Sequence, residues 1–153
     1  MKNKEIIFFC IGGLVLNFVG LQAAKILNLP IYLDTSGTIF VAAAFGYLPG
    51  IAVGFLTNLI KYFAVEPSEI YFSLISIIIA IISAYFSKKG CFDDLKKLLP
   101  VIISIIFVSV LLDFFIYDLI NATNYIKNIL QEGLDKILAV GIAFAVLKIN
   151  RGF

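Results

Sequence analysis

The chain has 153 residues, of which 61% are hydrophobic and 14% charged, with a net charge of +2 and a mean hydropathy of +1.05. A soluble domain carries about 25% charged residues and about 45–50% apolar ones, so too few polar residues remain here to cover a water-facing surface. The small net charge gives no footprint for nucleic acid, and a chain with no His and two isolated Cys makes no zinc site.

The apolar runs, taken in order, predict an all-α integral membrane protein, a single transmembrane domain over residues 1–153 with about six helices. A helix crossing the hydrocarbon needs about 20 mostly apolar residues. The first run, 6–27, follows Met1-Lys2-Asn3-Lys4 and so resembles a signal peptide. It is longer than a signal core, and Gln22-Ala23-Ala24-Lys25 is a poor cleavage site, so it reads as a retained first helix. Runs 31–48 and 50–65 are short and meet at Leu48-Pro49-Gly50, a tight Pro-Gly turn. They form two tilted spans or a re-entrant hairpin, and either arrangement returns the chain to the side it left. Run 70–87 contains no charge, 98–120 is equally clear, and 134–149 closes the series. Membrane-barrel alternation is absent.

Lysine and arginine set the orientation. With the N-terminus in the cytoplasm, the inner side holds Lys2, Lys4, Lys88, Lys89, Lys96, Lys97, Lys148 and Arg151, and the outer side Lys25, Lys61, Lys127 and Lys136. The excess predicts a multi-pass cell-membrane protein with both termini cytoplasmic. Cys10 and Cys91 then meet no oxidising compartment, so no structural disulfide is expected. The sequon Asn121-Ala122-Thr123 has meaning only in a eukaryotic secretory pathway.

Polar groups in hydrocarbon are costly, so their positions inform. In this topology they gather in the outer half: Asn17 and Gln22, the run Asp34-Thr35-Ser36-Gly37-Thr38, then Asn58, Lys61 and Tyr62 on one helix face, then Asp113 and Tyr117 one turn apart. Asp113 lies roughly 20 Å along the fifth helix from Pro100. A carboxylate at mid-bilayer costs about 2.5–3.5 kcal/mol. Two readings of it stand. One is structural, with Asp113 paired to Lys61 or protonated and hydrogen-bonded. The other is a ligand contact in an outward-facing cavity. Lys61 also has a bland reading, a side chain snorkelling to the interface. Asp34, Thr35 and Ser36 suit helix capping, which leaves room for the helix start to present N–H groups to a substrate anion. The substrate stays open, since Asp34 and Asp113 favour a cationic group and Lys61 an anionic one.

The inner half carries small residues instead. Ala42, Gly46, Gly50 and Gly54 recur every fourth position, and Ala139 and Ala143 form a small-xxx-small pair in the last run. Such spacing serves packing within a bundle. Alternatively Gly46, Gly50, Gly54, Ala139 and Ala143 dock a membrane partner.

The stretch Leu33-Asp34-Thr35-Ser36-Gly37-Thr38, followed by Ala42, Gly46, Pro49-Gly50, Gly54 and Asn58, resembles the membrane substrate-binding (S) components of bacterial energy-coupling-factor transporters. Size, six segments and inner termini are similar over the whole chain, whereas the motif covers residues 33–58. The chain departs from the family in lacking its Ala-xxx-Ala docking motif in the first helix. Gly20 and Ala24 offer only a related spacing. The resemblance implies capture of a vitamin-like micronutrient from outside, with a transmembrane coupling subunit and two cytoplasmic ATPases as partners. No phosphate-binding loop ending in Gly-Lys-Ser or Gly-Lys-Thr is present, so ATP is used by those partners. The site expected is Asp34, Thr35, Thr38, Asn58, Lys61, Tyr62, Asp113 and Tyr117, with no cofactor. A second hypothesis is a ligand-sensing or scaffold module acting with a signalling partner, against which stands a chain ending at Phe153 with no output domain. A membrane enzyme is the least supported, because no nucleophile–base pair or metal cluster is visible.

Overall fold

The computed structural model describes residues 3–119 and 125–151, and for Tyr117–Asn128 and Arg151 gives no side-chain placement. The described residues are helical, without a strand: α1 (Asn3–Ile26), α2 (Ser36–Phe45), α3 (Tyr47–Ala64), α4 (Ser73–Lys88), α5 (Leu99–Leu119) and α6 (Tyr125–Arg151). Short 3-10 turns at Pro67–Ile70 and Leu95–Leu98 lead into α4 and α5. Three stretches, Lys4–Ile26, Pro67–Lys88 and Leu95–Ile116, are long and apolar enough to cross a membrane.

Two expected boundaries move. The turn between the second and third segments lies at Gly46, not at Pro49-Gly50. Gly46 adopts φ +94, a left-handed value that suits glycine. Pro49 and Gly50 sit inside the first turn of α3, where a proline needs no backbone N–H partner. The last helix starts at Tyr125 rather than 134. A hydropathy reading discards its charged start, which is helical, and Glu132 there is buried.

The short helix α2 is the axis of the molecule. Every residue from Ser36 to Ala43 is buried, and α1, α3, α4 and α6 all pack on it. α1 runs antiparallel to α2, with Gly20 against Leu33, Asn17 against Gly37 and Gly13 against Val41. α3 folds back about Gly46, so that Gly50 meets Ala42 and Gly54 meets Thr38 and Ser76. Small residues at these crossings let the backbones approach closely, as membrane helices do. Ile39, Phe40 and Val41 share one core with Ile79 of α4, Ile105 of α5 and Ala139, Val140 and Ala143 of α6.

The distribution of polarity is inverted relative to a soluble protein. Asn17, Thr38, Ser83, Ser109 and Asp135 are completely buried, whereas Phe8 and Phe107 are 70% and 67% exposed. At one end of the bundle, lysines lie over rings, Lys88 4.2 Å from the centre of Tyr47 and Lys89 4.4 Å from that of Tyr85. Lys148 donates to the Asp93 carbonyl at 2.8 Å. Gly46 and the connection between α4 and α5 lie at this end. The opposite end, where α2, α4 and α6 begin and α1, α3 and α5 finish, holds the buried charges.

A methyl group at Gly37 would run into the backbone of Gly13. Gly37→Ala is therefore expected to lower stability by about 1–3 kcal/mol, read as a lower thermal midpoint in detergent or nanodiscs. Gly141 has open space around it, so Gly141→Ala is the control and leaves the midpoint unchanged or slightly raised.

Candidate functional site

At the charged end the helices enclose a cavity of about 330 Å³ lined by Tyr32, Asp34, Thr35, Asn58, Lys61, Glu66, Glu69, Phe72, Ile75, Ser76, Asp113, Glu132 and Lys136. That volume is at the lower end of small-molecule pockets.

The cavity is built on the segment between α1 and α2. Leu33 adopts φ +54, an uncommon value for a branched side chain. Two contacts hold it there. The absent side chain of Gly20 leaves room for the Leu33 backbone. The Asp135 carboxylate of α6 accepts N–H bonds from Tyr32 at 2.9 Å and Leu33 at 2.6 Å. Both bonds sit immediately before Asp34 and Thr35, and so set where those side chains enter the cavity.

The start of α2 is capped from another helix. Thr35, its flanking residue, makes no side-chain cap. Instead Asn17 of α1 accepts the Gly37 N–H at 2.6 Å and donates its amide to Thr38 Oγ1 at 3.0 Å and Thr57 Oγ1 at 2.9 Å. Asn58 is similarly engaged, donating to the Gly54 carbonyl at 3.0 Å and to Ser76 Oγ at 2.8 Å.

Two lysines are buried in the wall, and each meets two carboxylates. Lys61 Nζ lies 2.7 Å from Asp34 and 2.5 Å from Glu69. Lys136 Nζ lies 2.7 Å from Asp135 and 3.0 Å from Glu132. Ser68 donates to Glu66 at the rim. Asp113 is paired with neither lysine: of the readings open for it, the Asp113–Lys61 pair is not formed, and Lys61 instead bridges Asp34 and Glu69, which the turn at Pro67–Ile70 brings over the end of α3. Among the described residues, three buried side-chain atoms have no hydrogen-bond partner: Oδ2 of Asp113 and Oγ1 of Thr35 on the cavity wall, and Oγ of Ser109 away from it. Asp113 is 3% exposed and Thr35 4%. Buried polar atoms are normally satisfied, so two unpartnered atoms on the wall of one cavity are the exception in this site.

Of the residues expected in a site, Asp34, Thr35, Asn58, Lys61 and Asp113 come together here. Thr38 is buried in the Asn17 network, and Tyr62 stacks edge-on against Phe63 at 4.9 Å away from the cavity wall. The side chain of Tyr117 and the sequon at Asn121 lie outside the described residues. Glu69, Glu132 and Lys136 were not anticipated. For Glu132 and Lys136 the signal was a Glu and a Lys four apart in a segment that continues as an apolar helix. Of the five small residues considered for docking, Gly50 and Gly54 are used against Ala42, Thr38 and Ser76, and Ala139 and Ala143 are fully buried in the core. Gly46 has open space beside it.

No protein family matches the chain, and no curated protein or solved structure is significantly similar to it.

Removing Lys61 leaves Asp34 and Glu69 facing each other with no counter-charge. Lys61→Met is expected to cost about 3–5 kcal/mol. Adding Asp34→Asn and Glu69→Gln to it recovers most of the loss, because the unpaired charges go with the lysine. Thermal unfolding of the single and triple variants measures both.

Proposed function

We propose that the chain is a multi-pass membrane protein that binds a solute, the S component of an ATP-driven micronutrient importer of the energy-coupling-factor type. The observation that carries this is the cavity itself, with two unsatisfied polar atoms on its wall, in a bundle whose outward surface is apolar. Three helices are able to span a bilayer, and the exposed Phe and Ile side chains suit contact with lipid tails. The buried polar groups then face the bundle interior, as intramembrane polar groups do.

The lysines at the far end, reaching over Tyr47 and Tyr85, suit the cytoplasmic interface, where Lys is in excess and aromatic rings sit at headgroup level. The cavity then opens outward and both termini are inside. In this reading a micronutrient enters from outside, fills the orphaned acceptors of Asp113 and Thr35, and is released inward when a transmembrane coupling subunit and two cytoplasmic ATPases reorient the loaded bundle. The dense glycine contacts between α1, α2 and α3 support motion as one rigid body, since closely packed backbones resist internal sliding.

The purified chain in nanodiscs is expected to bind one vitamin-like compound with a dissociation constant below about 1 μM, equivalent to roughly −8 kcal/mol. Asp113→Asn weakens that binding about tenfold or more, and disruption of Asp34 or Asn58 weakens it through the wall they hold. Cells supplying the coupling subunit and ATPases accumulate the labelled compound only when this chain is present. A full vitamin panel that leaves folded protein unliganded overturns the reading. Binding without uptake, together with a stable complex with a signalling protein, replaces it with a ligand sensor.

A further inference from the structure

We infer that the ligand of this cavity carries a protonated amine, which binds at Asp113 and Thr35, next to an apolar or aromatic body. The inference rests on the solute-binding reading of the cavity and adds the chemical class of the solute.

The charge of the wall is one-sided. Five carboxyl groups, Asp34, Glu66, Glu69, Asp113 and Glu132, line the cavity against two lysines. Neither lysine is spare. Lys61 is bracketed by Asp34 and Glu69, and Lys136 by Glu132 and Asp135. An anionic solute at either ammonium would meet the repulsion of the two carboxylates already there, at 3.0 Å or less. One N–H of the helix start that an anion would use, that of Gly37, is also taken by Asn17.

The two atoms left over on the cavity wall can both accept, a carboxyl oxygen and a hydroxyl that can also donate. Asp113 Oδ2 and Thr35 Oγ1 are buried, unpartnered and on the cavity wall. An ammonium group offers three N–H donors and no acceptor, which matches this pair and relieves the excess of negative charge. A bare metal ion fits less well: among the described residues no three carboxylate or thiol side chains stand close enough together to hold one. The remaining wall includes Phe72, Ile75 and the ring of Tyr32, which cover an apolar body and add ring faces toward a cation.

Matched probes test this on the full chain in nanodiscs. Tryptamine, phenethylamine and pyridoxamine are compared with indole-3-propionate, 3-phenylpropionate and 4-pyridoxate, using calorimetry and thermal midpoints. At least one amine is expected to bind, with its carboxylate counterpart about tenfold weaker or worse, and with Asp113→Asn lowering the amine's affinity by about tenfold or more. Thr35→Val gives a smaller loss and serves if Asp113→Asn does not fold. Equal or tighter binding of a carboxylate overturns the inference, as does an amine whose affinity ignores both substitutions. If no amine binds but a vitamin without an ammonium group does, the charge assignment fails and the importer reading stands. If neither these probes nor the vitamin panel yields a ligand for folded protein, both fail.

Discussion

The bundle closes on the side chain of Asn17. One amide, with no exposure at all, accepts the Gly37 N–H and donates to Thr38 and Thr57. It thereby joins α1 to α2 and α3 at the level where glycine and alanine let their backbones touch. A polar group buried without a partner is costly, so the amide and its partners hold one another in register. A slip of α2 along α1 would separate them and drive Gly37 past Gly13, where no side chain fits. The position of Asp34 and Thr35 follows from that register, since they immediately precede the capped turn.

The charged end depends on a second constraint. Taking a lysine out of water is expensive, and one carboxylate seldom repays the cost unless the remaining donors are also met. Here each buried ammonium is held by two carboxylates drawn from different parts of the chain or from one helix turn. Asp135 adds a structural duty, accepting the backbone of Tyr32 and Leu33 on its other oxygen. These residues therefore form the frame. Asp113 and Thr35 lie outside that frame, each with a buried oxygen that has no hydrogen-bond partner among the described residues.

Much of this was legible before any coordinates. The apolar runs located all six helices, and the outer-half clustering of Asp34, Asn58, Lys61 and Asp113 foresaw the residues that meet in one cavity. Hydropathy failed where charge and helix coincide. Glu132 lies in the long last helix before the run 134–149 and Lys136 inside that run, and a window tuned to apolar residues gives neither a part in the site. It also placed the turn at Pro49-Gly50, the conventional breaker pair, whereas proline is tolerated in a first helical turn and Gly46 alone has the backbone freedom the reversal uses.

Sequence by itself determined the helices, their apolar outer faces and the concentration of polar groups toward one end. Those properties are local: they depend on residue type and on the 3.6-residue period of a helix. Tertiary structure alone decided the pairing of the charges. Lys61 is equally reachable in sequence terms by Asp113, and the choice of Asp34 and Glu69 rests on how α3 ends against the turn before α4. Likewise, spacing could not distinguish small residues used for internal packing from a docking stripe. The tertiary structure places Gly50 and Gly54 against Ala42, Thr38 and Ser76 and buries Ala139 and Ala143 in the core, because α3 and α6 both pack on α2.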